Sequence, residues 1–219
     1  MAKFTALFDT FDNLDQIPIE NIAFWLKPTP NLIQLENYLA NKILYPKSLP
    51  LSEPDMRVDL AILREALKLN NPKLAKETLL GLGPFLNITL RKILIPQRFL
   101  EFIPNLPKLV WVFVDALVLA RKKEDWFADL WTVVLTGDVE EVAGSVLRPQ
   151  FRGDEDWMDL LVLGKVYKIR QGSLMVLACP GDRCQISYKL REGKFLGKNE
   201  AALEVYGGKL GLMVDGRNL

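Results

Sequence analysis

The sequence contains no histidine. That absence removes the Ser-His-Asp triad, the Cys-His pair and every histidine-ligated metal centre. It also removes the side chain that titrates nearest neutral pH. Only two cysteines are present, so a cysteine-rich zinc module or a disulfide framework has no raw material. An excess of either charge is lacking as well. The chain carries 28 Lys+Arg against 27 Asp+Glu, a formal net charge of +1, which argues against a polycation acting on nucleic acid or acidic membranes by bulk charge. Long apolar runs are missing too. The longest, Leu109 to Ala120 with Asp115 inside it, is shorter than the ~20 residues that span a bilayer. The start of the sequence, Met1-Ala2-Lys3-Phe4 with Asp9 and Asp12, has no signal-peptide pattern, so a cytoplasmic protein is expected. HExxH, GxSxG, calcium-loop, P-loop and dinucleotide signatures are all absent. No cofactor or metal site is expected.

What remains is an ordinary globular chain of 219 residues, 49% hydrophobic and 25% charged. Its mean hydropathy is slightly positive at +0.09. The apolar pattern changes near residue 150. Before it, spacing is helical. After it, segments shorten, glycine rises and apolar residues alternate. The expected fold is α+β: an irregular helical bundle over 1–150, with a solenoid-like arrangement as its variant, then a small β-meander or barrel over 151–219.

Phe4, Leu7, Phe8 and Phe11 fall at i, i+3, i+4 and i+7, the anchors of an amphipathic helix that docks in a groove of its own core or of a partner. Ile19, Ile22, Ala23 and Leu26 repeat the pattern. Asn31 is placed to cap a helix through Leu35 and Leu39, and Ser52 or Asp55 to cap the next. Leu60 to Leu67 and Leu74 to Leu82 read as a helical hairpin broken at Asn70-Asn71-Pro72. Residues 88–107 read as short buried helices, and Lys108 to Lys123 as the central helix of the core. The stripe Trp126, Leu130, Val133, Val134 and the segment Val139 to Leu147 are read as two further helices. Strands are expected at 160–163, 165–170, 174–178, 185–190, 202–206 and 210–214, separated by glycine-containing turns.

Three groupings bear on chemistry. Cys179 and Cys184 lie across the turn Pro180-Gly181-Asp182-Arg183. Facing positions there come within disulfide reach, so two buried thiols, a disulfide or redox pair, and half of a shared metal site all stay open. Alternation places Lys168 with Arg170, and Lys189 with Arg191, on outward faces of neighbouring strands. Such a basic face is a solvated surface, a candidate nucleic-acid contact or a contact for an acidic protein partner, although 11 basic against 9 acidic residues after position 150 is a modest imbalance. The run Asp154, Glu155, Asp156 and Asp159 could bind a hard cation through oxygen ligands but reads better as a solvated linker, in a segment that is a linker or a strand lead-in. Asp115, alone in an apolar helix, marks its polar edge, pairs with Arg121, Lys122 or another base, or serves as a buried general acid or base.

The functional expectation is a non-enzymatic protein-interaction or assembly subunit, with a protein partner or a second copy of itself. The alternative is a nucleic-acid-binding accessory protein that uses the basic β face.

Overall fold

The computed structural model describes residues 13–80, 90–97, 99–119, 127–153 and 155–217. The docking anchors Phe4, Leu7, Phe8 and Phe11 lie outside the described residues. Helices and sheets are both present, so the chain is α+β. It divides into two compact units. The first comprises 1–86 and 96–124, the second 87–95 and 125–219.

The first unit is helical: α1 (Ile19–Phe24), α2 (Leu32–Leu44), α3 (Glu53–Leu80), α4 (Phe99–Phe102) and α5 (Leu106–Leu119). Asn31 caps α2 as its position predicts, its side-chain oxygen accepting from the Ile33 and Gln34 amides. Ser52 Oγ accepts from the Asp55 amide at 3.2 Å at the start of α3. Ile22, Ala23, Leu35, Leu39, Ala61 and Ile62 form the core joining α1, α2 and α3. Along α5, Leu109, Val110, Val112, Phe113, Val114 and Ala116 are all buried, the all-round apolar helix expected from sequence. One expectation fails. No break occurs at Asn70-Asn71-Pro72, and α3 runs on to Leu80. A proline removes a single backbone donor, and the rest of the ladder carries the helix past it.

The second unit is two sheets. One has the order β1-β2-β3-β9-β6, with β1 (Leu90–Pro96), β2 (Phe127–Thr136), β3 (Glu141–Leu147), β6 (Leu174–Leu177) and β9 (Gly211–Asp215). The other has the order β5-β4-β7-β8, with β4 (Trp157–Val162), β5 (Lys165–Arg170), β7 (Arg183–Leu190) and β8 (Glu200–Tyr206). Segments 127–136 and 141–147 are therefore strands, not helices. Their β-branched content suits a sheet, and burial on both faces erases the alternation that would have announced them. Residues 90–96 are likewise a strand, followed by the short α4.

β3 and β9 pair in parallel, with Gly144 opposite Gly211. A Cβ on Gly144 would collide with the Gly211 carbonyl oxygen, so the close approach of the two strands requires glycine. Leu147, Leu177, Leu212 and Val214 of the first sheet share one core with Met158, Leu160, Ile169, Ile186, Tyr188 and Val205 of the second. The result is two open sheets face to face. Among the described residues the sheets do not close into a barrel. The four-stranded sheet buries one face in that core and turns the other to solvent, and β7 alternates strictly from Cys184 to Leu190.

Candidate functional site: a cation-flanked tryptophan on the open sheet face

Register organises the open face into rows. Arg170 stands opposite Trp157, Lys168 opposite Asp159, and Val166 opposite Leu161. On the other side of β4, Lys189 stands opposite Asp159 and Ser187 opposite Leu161. β8 continues these rows with Glu200 opposite Lys189 and Ala202 opposite Ser187. Arg191, just past β7, donates its amide to the Trp157 carbonyl at 3.0 Å. The four cations expected to form a basic face are thus brought together on one side of one sheet.

At their centre is Trp157, which sequence reasoning did not single out for this site. Lys168 Nζ lies 4.4 Å from the centroid of its ring, and the Arg191 guanidinium carbon 4.7 Å. Both distances fall within cation–π range. The signal was present in the sequence. Extending the strand back to Trp157 puts it two residues before Asp159, hence on the same face. Tyr167 and Tyr188, by contrast, belong to the inner side, and the Tyr188 hydroxyl donates to the Phe195 carbonyl at 2.7 Å.

Asp156 holds this arrangement. Its carboxylate accepts from the amides of Trp157 at 2.8 Å, Glu192 at 2.9 Å and Arg152 at 3.3 Å. It is 5% exposed, so the solvated-linker reading is wrong for this residue. Three backbone donors on one carboxylate fix the start of β4 against the chain leaving β7, and so set Trp157 beside Arg191.

The charges on the face are unequally committed. Lys189 Nζ is 3.4 Å from Glu200, and Arg183 pairs with Glu204. Lys168 turns to Trp157 instead of to Asp159. Asp159 therefore lies between two lysines in register while its carboxylate forms no ion pair within 4 Å among the described residues.

Cys179, after β6, and Cys184, in β7, are both buried and unbridged. Burial, and then hydrogen bonding and charge from Cys184, push the Cys179 thiol up to about 12. Their turn is tied to the one after β8: the Gly208 amide donates to the Cys179 carbonyl and the Gly207 amide to that of Asp182. Arg183 does not favour a thiolate here, being paired with Glu204.

The helical unit buries two polar clusters of its own. Tyr38 and Lys42, one turn apart on α2, both reach Asp59 of α3. Asp115 pairs with Arg64 at 2.9 Å, and the Arg64 guanidinium lies 4.2 Å from the Trp25 ring centroid. The solitary aspartate in α5 thus has a basic partner from α3. Among the described residues, no group of three Cys, Asp or Glu side chains is placed to hold a metal ion. Nor is any helix among them long and apolar enough to cross a membrane.

No known protein-family model, curated protein or solved structure matches this chain.

Proposed function

We propose that this protein is a non-enzymatic accessory protein that holds single-stranded nucleic acid on the open face of its four-stranded sheet. One observation carries the reading: Lys168 and Arg191 lie over the ring of a half-buried tryptophan on a solvent-facing sheet, with Arg170 opposite it in register. Sheet surfaces that combine cations for the phosphates with an aromatic ring for the bases hold single strands without sequence-reading helices. Local placement of charge also explains how a chain of net charge +1 can offer an anion-binding surface. Fluorescence anisotropy with a labelled mixed-sequence single strand tests it. Binding is expected at low salt, falling as salt rises, and lost when Lys168 and Arg191 are both changed to glutamate. No binding at low salt overturns the proposal.

A second reading rests on a different surface. Leu44, Tyr45, Leu49 and Leu51 follow one another along the end of α2 and the loop after it, all exposed, Leu51 at 95%. This supports an interaction or assembly subunit working in the cytoplasm, in which the helical unit, taken as an irregular bundle, meets a protein partner or a second copy. Light scattering on the purified chain addresses the second copy. A monomer at every concentration removes self-association and leaves a different protein as the partner.

A further inference from the structure

Beside Trp157 the open face sinks into a groove of about 330 Å³. That is the lower end of the size range for small-ligand sites. Its apolar lining includes Leu161, Val166 and Ala202, and its polar lining residues are Asp159, Ser187, Lys189 and Glu200. Val166 is 67% exposed and Leu161 39%, an apolar floor for a planar ring.

The acceptors are not equivalent. Glu200 is engaged by Lys189. Asp159 has a lysine on each side in register, yet Lys168 turns to Trp157 and Lys189 to Glu200, which leaves the Asp159 carboxylate facing the groove. A carboxylate accepts hydrogen bonds and donates none. We infer that this groove takes a cytosine base, whose exocyclic amine Asp159 reads. The inference rests on the nucleic-acid reading above. Thymine, of the same ring size, presents an oxygen where cytosine presents the amine, so a carboxylate there meets it acceptor to acceptor. The phosphates flanking the base have the cations of the Trp157 row within the same face, one step along β4 and β5.

The test compares oligodeoxycytidine with oligodeoxythymidine of equal length by anisotropy, above neutral pH so that cytosine stays unprotonated. The wild-type protein is expected to prefer the cytidine strand by on the order of tenfold. Asp159→Ala removes the preference and, by taking away a negative charge, tightens binding of the thymidine strand. Asp159→Asn narrows the preference, because an amide presents a donor or an acceptor by rotating. Equal affinity for the two strands in the wild type overturns the inference and leaves the nucleic-acid reading standing. A preference that survives in Asp159→Ala also overturns it. Binding of neither strand at low salt overturns the nucleic-acid reading itself.

Discussion

Lys42 Nζ lies 2.7 Å from Asp59 Oδ2, and both side chains are 5% exposed, so α2 and α3 are joined by an ion pair withdrawn from water. The Tyr38 hydroxyl donates to the other carboxylate oxygen at 3.0 Å, and Lys42 donates again to the Ser48 carbonyl at 2.6 Å. Lys42→Met leaves the carboxylate buried without its cation and is expected to cost about 3–5 kcal/mol in urea unfolding. Lys42→Met with Asp59→Leu should cost distinctly less, since no charge is stranded. Equal losses in the two variants would remove the ion pair as the cause.

The same pair has a pH signature. Burial raises the Asp59 carboxyl above its ordinary value and outweighs the lowering by Lys42 and Tyr38. The folded protein therefore holds this proton more tightly than the unfolded chain does. The stability it contributes is full below the ordinary aspartate value of about 3.9 and is lost as pH rises through the raised native value. Thermal melts of the wild type and Asp59→Asn across that window should converge at its acid end. Parallel curves would assign the slope to other groups.

On the open face, Trp157→Ala should weaken single-strand binding by about 1–3 kcal/mol, with Trp157→Phe retaining part of it. Arg191→Ala should lower the slope of log K against log salt by about 0.7, the loss of one phosphate contact. Lys189→Ala should do less, because Lys189 is already held by Glu200. An equal effect of the two alanine variants would mean that the ion pair opens on binding.

Leu163 occupies the first position of the two-residue turn between β4 and β5, with φ of 50° and its side chain 60% exposed. Gly164 follows at φ of 77°, so both loop residues are left-handed, as this hairpin type requires. Asparagine tolerates that backbone better than leucine does. Leu163→Asn is expected to raise stability by about 1 kcal/mol, read as a higher melting temperature. A lower one would show that the leucine makes contacts worth more than the strain.

Cys179 and Cys184 should behave as inert thiols. A thiol pushed up to about 12 carries almost no thiolate near neutral pH, and burial bars the reagent. Thiol titration at mildly alkaline pH is expected to find neither cysteine reactive in the folded protein and both reactive in denaturant. With the native value raised, the stability tied to Cys179 is intact below the ordinary thiol value of about 8.5 and fades as pH climbs from there towards 12. A mass two hydrogens lower without reductant would reveal a disulfide and defeat this expectation.

β4, β5, β7 and β8 were legible because each shows one face to water. Lys189 and Arg191 alternate with Tyr188 and Leu190, and the turns carry glycine. β2 and β3 were not. In β2, Leu130, Val133 and Val134 happen to satisfy helical spacing, and Trp131, Val133, Val134 and Leu135 are all buried. In β3, Ala143 to Leu147 are buried without interruption, so no two-residue period survives. The shared outward face of Lys168, Arg170, Lys189 and Arg191 followed from alternation alone. Trp157 was lost because the acidic residues before it made its segment read as linker, and the role of Asp156 depends on amides 36 residues away in sequence at Glu192. Pairings of that kind, like Arg64 with Asp115, are set by how elements pack and leave no local trace.

The order β1-β2-β3-β9-β6 has a temporal consequence. β9 is the last of the described strands, yet it lies inside its sheet, parallel to β3 and antiparallel to β6. Among the described residues, β6 gains its place in that sheet through β9. As the polypeptide emerges, β6 must wait with an open edge, and the shared core stays half built until Leu212 and Val214 arrive. Such distant pairing makes for slow assembly, and the waiting edge is where a crowded nascent chain is most exposed to the wrong neighbour.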